Sequence, residues 1–472
     1  MSPRYVLAVD NGTQSTKVHV VDETGVVHAS ARRPLRPTES PLPGWVVHPD
    51  DDLWDSVGAA CRDALDAFAG SPADIEAVGL CTIRYCRALL RSDGTLAEPV
   101  LSWMDERVSR PHVDRDDVAW VTTSSGYITH RLTGRFRDSA ANARGVWPVD
   151  VGTIDWSDDP AAYAATGMPR EKLVELVRPF DLLGTVTREA AVATGIPEGV
   201  PVYATANDKA VEALGAGVDD STVLLSLGTY IAAMTTGAGP PGDDDAVWVN
   251  FAAEPGRYLH ESNGIRRGMW TVSWAADLVY PRECRDPEHP VEHVLGAEAE
   301  AAPPGCGGLV AVLDWLAPPD APYRRGALLG FDGSQRRGHV FRAVLEGVAL
   351  TMADNIEAME QALGRHPETL VVSGGGAKSD LILRMLADIL DRPVRRTALD
   401  DAAGLGSAIC ACVGHGIHPD VETARRAMVR PGVTVDPDPT GVEAYAPVRR
   451  RHRAAREGVE RLAATLASSP TL

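Results

Sequence analysis

The chain opens with short apolar strands separated by polar turns: YVLAVD, then KVHVVD, then TGVVHASARRPL. The first two read as a strand pair and the third as a further strand, because brief apolar or alternating runs bounded by turn residues are strand signals. The period then changes. HPDDDLWDSVGAACRDALDAF has helical spacing behind an acidic cap at Asp50. IEAVGLCTIRYCRALLRSDG returns to two strands, with Cys81 and Cys86 in one run at odd separation and so on opposite faces. This alternation of strands and longer helical segments predicts an α/β protein.

A second region echoes the first. From residue 222, TVLLSLGTYIAAMTT again sends a strand into a Gly-Thr turn and a second apolar strand out of it. Self-similarity over a long period speaks for a duplicated architecture. The Gly- and Asp-rich LGAGVDDST before it marks a break, giving an N-terminal lobe, residues 1–217, and a C-terminal lobe, residues 218–472. FRAVLEGVALTMADNIEAMEQAL predicts a long helix with Phe341, Val344, Leu345, Val348 and Met352 on one stripe. PVRRRHRAAREGVERLAATLA predicts a charged helix whose basic run is a solvated face.

Composition narrows the function. The 472 residues are 44% hydrophobic and 24% charged, enough for substantial cores, and the net charge is −19. That field repels phosphate backbones and anionic lipid, which excludes nucleic acid or a membrane surface as the main partner. No apolar stretch reaches a membrane span, and MSPRYVLAVD lacks a signal-peptide layout, so the expected location is cytoplasmic. The seven scattered cysteines read as reduced, mostly buried thiols. Cys284, His289 and His293 are the one tempting metal group, but Pro287 and Pro290 interrupt it and no CxxC or HExxH accompanies it, so no structural metal is expected.

Three stretches carry chemistry. In LAVDNGTQSTK, a turn with Gly12, Thr13, Gln14 and Ser15 offers backbone and hydroxyl donors to a phosphate chain, and Lys17 adds a positive charge. Asp10, at the strand end, suits a hydrated Mg²⁺. A plain Asn-Gly turn with a solvated lysine is the bland alternative, and the stretch is no P-loop, since GxxxxGK[ST] is absent. In PVYATANDKAVEALGAG, a strand from Val202 to Ala206 leads to Asp208, which either caps the following helix or serves as a carboxylate at a strand's C-terminal end, able to accept a hydroxyl proton. In LVVSGGGAKSDLILRMLADIL, Gly374, Gly375 and Gly376 let a ligand approach the backbone ahead of a helix N-terminus, with Ser379 beside them.

In this order, the stretches resemble the layout shared by sugar kinases, actin and heat-shock ATPases, and most closely the FGGY family of carbohydrate kinases. The resemblance covers nearly the whole chain. AVDNGTQSTKVHVVD looks like the family's first phosphate motif, and GWVVHPDDDLW resembles a further segment, with His48 where an acid is usual. SWMDERV, HRLTGRFRDSAANA and ANDKAVEALGAG are similar to successive motifs, the last placing the catalytic aspartate at Asp208. LSLGTY looks like the second phosphate motif, through Gly228 and Thr229. GALLGFDGSQRRGHVFRAVLEG resembles the C-terminal signature, through Gly326, Gly330, His339, Ala343 and Glu346. SGGGAKSD resembles the adenosine motif, with Gly375, Gly376 and Ser379 as contacts.

The resemblance implies two actin-like (ribonuclease H-like) lobes with a nucleotide cleft between them, and transfer of the ATP γ-phosphoryl group to a small sugar or polyol. Mg²⁺ would be held mainly through water by Asp10 and Asp208. Arg84 and Tyr85 fall on the strand that supplies sugar contacts, Trp103 and Asp105 in the pocket, and Arg107 as a brace. A xylulose-like pentulose is the nearest acceptor, and a homodimer follows family habit. Two departures stand out: the Val108–Arg131 connection is short and lacks the family's Lys-x-x-Trp helix, and Lys209 replaces the usual Asn or Gln. They motivate a second reading, an ATP-binding regulatory or scaffold protein that has lost phosphotransfer; retention of Asp10 and Asp208 argues against it.

Overall fold

A computed structural model describes residues 3–239, 245–281, 291–318 and 321–468. Cys284 and His289 lie outside the described residues; His293 is exposed on the helix Val291–Ala301. Among the described residues, no group of three or more His, Cys, Asp or Glu is arranged to hold a metal ion. No described helix is long and apolar enough to cross a membrane.

The chain divides into two compact units. The first comprises residues 1–217, 250–259 and 401–430, and the second residues 218–249, 260–400 and 431–472. In the first, β1 (Tyr5–Asn11), β2 (Ser15–Asp22) and β3 (Val27–Pro34) form an antiparallel meander, and β4 (Ile75–Thr82) runs parallel to β1 on its other side. The strand Pro201–Ala204 lies parallel beyond β4, and Leu182–Thr185 closes that edge. β1 is apolar from Val6 to Val9 because it is central and covered on both faces, and turns polar only at its C-terminal end with Asp10 and Asn11. Leu7 and Val9 share a core with Leu53, Val57 and Cys61 of α1 (Asp52–Ala67). The helix Ala402–Gly414 packs on the sheet so closely that a Cβ at Gly79 would lie 2.1 Å from the Ser407 carbonyl oxygen.

The second unit repeats this plan. Its strands Thr222–Leu227 and Ile231–Gly237 form a hairpin, Thr369–Ser373 runs parallel to the first of them, and Val394–Thr397 parallel beyond that. A hairpin flanked by two parallel crossover strands in both units is the ribonuclease H-like, actin-like topology. It gives the echo between the two Gly-Thr turns its structural meaning. The helix Arg337–Leu363 buries Phe341, Val344, Leu345, Val348 and Met352 against this sheet's core. Glu346 of the C-terminal signature is buried in that core, accepting from Gly305 N–H at 3.1 Å and Arg342 Nε at 2.9 Å.

Several local expectations need correction. The cap of α1 is Asp51 rather than Asp50, and its carboxylate takes the Tyr127 hydroxyl and Arg131 instead of the helix amides. Cys81 and Cys86 do not share one strand: β4 ends at Thr82 and the chain turns through Tyr85, whose φ is +64°. The strand before Asp208 ends at Ala204. The C-terminal basic run is only partly solvated, since Arg449 bridges Asp354 and Glu357 at 2.9 and 2.6 Å, while His452 is buried. The six described cysteines are free and buried, and burial pushes the Cys61 and Cys86 thiols up to about 12.

Burial also pushes His48, His112 and His452 down to about 4, with nearby cations adding to the shift at His112 and His452. Unfolded histidine takes a proton near its ordinary value of about 6.5, whereas these three stay neutral when folded. The unfolded state therefore binds more protons between pH 6.5 and 4, and stability present above that window is lost as pH falls through it. Each histidine contributes a slope of up to about 1.4 kcal/mol per pH unit. Denaturant titrations across the window should show this steep loss, reduced in His452→Leu; a flat profile would contradict the burial of these rings.

Candidate active site

The β1–β2 register sets Asp10 opposite Lys17 and Asn11 opposite Thr16. The turn closes with Gly12 N–H donating to the Ser15 carbonyl at 3.1 Å. Lys17 Nζ lies 3.1 Å from Asp10 Oδ2 and equally 3.1 Å from Asp401 Oδ1, and His19 Nε2 is 2.7 Å from Asp401 Oδ2. The Ser15 hydroxyl accepts from Arg32 Nε at 2.9 Å, while Thr13 is half-buried and Gln14 exposed. Burial, reinforced by the charge of Asp401, pushes the Asp10 carboxyl well above the usual range; Lys17 opposes this and Asp208 adds to it. Burial also disfavours charge on Asp401, but His19 and Lys17 outweigh it and hold that carboxyl low. Neither Asp401 nor His19 stood out in the sequence. His19 shares a face of β2 with Lys17, two residues on, which is a usable signal; Asp401 reaches the site only through the topology.

Asp208 is freed from capping by its neighbour. Asn207 is the cap of the helix Asp208–Gly215, its Oδ1 accepting from Ala210 N–H at 3.1 Å. Asp208 Oδ1 accepts from Lys209 N–H at 2.9 Å and stands 3.6 Å from Arg84 Nε. The Arg84 guanidinium lies 5.1 Å from the Tyr85 ring centroid, and the Tyr85 hydroxyl donates to Asn250 Oδ1 at 3.0 Å. Lys209 turns along the helix to Glu212, 2.8 Å away; burial works against its charge, but Glu212 and Asp208 raise its pKa overall.

Asp10, Lys17, Arg84 and Asp208 are thus electrostatically joined in the first unit. Asp105 belongs to a separate set. It is buried, accepts from Val46 N–H at 2.7 Å and from Arg107 Nη2 at 2.7 Å, and Arg107 in turn stacks 3.6 Å from the Trp45 ring centroid. Burial opposes ionisation of Asp105, but these donors hold its carboxyl below the ordinary range. Trp103 is half-buried at the edge of the same unit's core. Between Ser109 and the helix Ser124–Thr133, the chain forms only the short strand Trp120–Thr122, with no helix of its own.

In the second unit, the Gly228 and Thr229 carbonyls accept from Met269 and Gly268 N–H at 3.1 and 2.8 Å, seating the helix Gly268–Val279 under the hairpin. Ser379 caps the helix Asp380–Leu390, its hydroxyl accepting from Ile382 N–H at 3.4 Å. The three consecutive glycines differ. Gly374 has φ +83°, and a Cβ there would lie 2.8 Å from the Leu227 carbonyl oxygen; a Cβ at Gly376 would lie 2.7 Å from Met269 Sδ. A Cβ at Gly375 would meet nothing within 4 Å. Packing therefore explains two of the glycines and leaves the third facing open space.

This duplicated fold with a charged strand-end site is that of a carbohydrate kinase. The chain belongs to the FGGY family of carbohydrate kinases: the family's N-terminal domain matches residues 5–115 and 110–215, and its C-terminal domain residues 223–415. It is accordingly a phosphotransferase acting on a sugar-type alcohol, in a family that uses ATP. The chain is 45% identical over 435 residues to the Escherichia coli (strain K12) protein called "Uncharacterized sugar kinase YgcE", covering 91% of this chain and 88% of that one. It is 24% identical over 488 residues to the xylulose kinase of Bacillus subtilis (strain 168), covering 94% of each. The crystal structure of xylulose kinase from Rhodospirillum rubrum is similar at a TM-score of 0.80 and 25% identity, covering 98% of this chain and all of that one.

Alanine at Gly374 should destabilise the protein by about 1–3 kcal/mol, the usual strain of a side chain in a glycine-only conformation. At Gly375, alanine should change stability by no more than about 0.5 kcal/mol. Chemical denaturation of the two variants checks the contrast; equal losses would contradict the geometry of this turn.

Proposed function

We propose that the chain transfers the γ-phosphoryl group of ATP to one hydroxyl of a small sugar or polyol, a xylulose-like pentulose first among them, and that Asp208 takes the hydroxyl proton. The observation that carries this reading is the division of labour at the helix start: Asn207 satisfies the amide, so Asp208 stands at the strand-end position with Arg84 beside it and Asp10 within its field. An alcohol is a weak acid, so its proton passes to Asp208 late, as the oxygen bonds to phosphorus and the bond to ADP breaks. Such transfers depend on positioning and charge, with little covalent work for the protein.

In the first unit, the turn of Gly12, Thr13, Gln14 and Ser15 with Lys17 is assigned to the phosphates. In the second, Gly228 and Thr229 take phosphate, while Gly375, Gly376 and Ser379 take the adenosine. The open space over Gly375 supports that last assignment. Arg84 and Tyr85 read the acceptor's hydroxyls, and Trp103 lines the pocket with Asp105 and Arg107 bracing its wall.

The residues fit Mg²⁺ held through water. Asp10 Oδ2 is engaged by Lys17, while Oδ1 has no protein donor among the described residues, and Asp10 and Asp401 together outnumber the one ammonium between them. Asp10, with Asp208, would hold the ion; when bound, it neutralises phosphate charge and orients the chain of phosphates. The names of the xylulose kinase relatives support a pentulose acceptor. A homodimer working in the cytoplasm completes the proposal.

An ATP-coupled assay over pentuloses, tetritols and hexitols should find one acceptor class with saturable turnover. With it, Asp208→Asn should lower kcat by roughly 10²–10⁴-fold, the range of a lost general base, and keep nucleotide affinity. Near-normal turnover in that variant would remove Asp208 from this role. Gly375→Ala should leave the fold intact and raise the KM for ATP; an unchanged KM would remove Gly375 from the adenosine site.

A further inference from the structure

We propose that Asp401 is a positioning residue for phosphoryl transfer, holding the Lys17 ammonium at the first phosphate hairpin while His19 fixes its carboxylate from the far side. This rests on the reading of Lys17 as a phosphate-facing charge.

Asp401 occupies the cap position of the helix Ala402–Gly414, where an aspartate ordinarily accepts from the helix amides, yet its side chain makes no such bond. Instead its two oxygens are divided: Oδ1 faces Lys17 Nζ at 3.1 Å and Oδ2 faces His19 Nε2 at 2.7 Å. The helix end forgoes its cap to serve a side chain from another strand.

The partner needs such help. A lysine ammonium is a point charge on a flexible four-carbon stem, and one carboxylate contact leaves it free to swing. With Asp10 Oδ2 and Asp401 Oδ1 each at 3.1 Å, Lys17 is held from both sides. A second carboxylate also weakens the attraction of that ammonium for phosphate, so charge alone does not account for Asp401; placement does.

His19 is fixed in turn. Its Nδ1 is buried without a hydrogen-bond partner, so Nε2–H is the ring's donor and points to Asp401. A Cβ at Gly404 would lie 2.6 Å from His19 Cδ2, so the helix closes directly over the ring. The same helix is tied to β1 by Ser407 Oγ, which donates to the Val9 carbonyl at 3.4 Å. The whole support belongs to the first unit.

A double-mutant cycle tests the proposal, with affinity for a non-hydrolysable ATP analogue in Mg²⁺ buffer as the readout. Asp401→Asn should weaken binding about ten- to a hundredfold, the usual loss when a group that orients a binding side chain is removed. In the Lys17→Met background, the same change should have no more than about a twofold effect, because its target is gone. Asp401→Glu, which keeps the charge, should recover part of the affinity, and melting temperatures establish that each variant is folded. If Asp401→Asn does not fold, Asp401→Glu in both Lys17 backgrounds carries the same comparison. Equal losses with and without Lys17, or no loss in a folded Asp401 variant, would overturn the proposal while leaving the kinase reading intact. Unchanged affinity in Lys17→Met would overturn both this proposal and the phosphate assignment of Lys17.

Discussion

The site depends on one electrostatic constraint: two carboxylates largely withdrawn from water, the buried Asp10 and the partly buried Asp401, share a single ammonium, Lys17. Burial makes the charged form of each acid costly, and the lysine relieves both at once. Burial dominates at Asp10 and the charge of Asp401 adds to it, so its carboxyl is pushed up despite Lys17, while Asp401, with His19 as a second partner, is held down against its own desolvation. A cluster short of positive charge at the end of a central strand is a place where a cation and a phosphate chain are mutually useful. The sheet supplies the geometry: β1 sends Asp10 to its C-terminal end, and the hairpin register returns Lys17 opposite it. Parallel neighbours bring further strand ends to the same edge, where open α/β sheets place their ligands.

Duplication explains how one chain provides the remaining parts. Each unit contains a hairpin followed by two parallel crossover strands, so each has a hairpin turn at the corresponding place. The units then diverge. The first carries the acids and the cations, Asp10, Asp208, Arg84 and Lys17, whereas the second carries a hairpin seated on a helix N-terminus and a glycine turn with one open face.

Much of this was legible in the sequence where local chemistry decides it. The hairpin strands, the long helix of residues 337–363 and the repeated Gly-Thr turn follow from apolar period and turn residues, which are short-range properties. What escaped was what the tertiary fold decides. Asp401 lies hundreds of residues from Lys17, and only the packing of its helix on β1 brings them together. Asp208 had two open readings because capping and catalysis both favour an acid there; the outcome turned on Asn207, one residue earlier. The C-terminal basic run has the pattern of a solvated face, but Asp354 and Glu357 on the neighbouring helix draw Arg449 inward.

The two lines of inference meet at the reacting phosphorus: if fixed charges do the work and Asp208 only accepts a proton, the γ-phosphoryl group moves once, directly from ATP to the alcohol. The stereochemical course tests this most directly, using ATP made chiral at the γ-phosphorus with oxygen isotopes and an acceptor found by the substrate screen. Inverted configuration in the recovered sugar phosphate is the expected result. Retention, which requires a phosphorylated enzyme, or label appearing only as inorganic phosphate, would contradict the account.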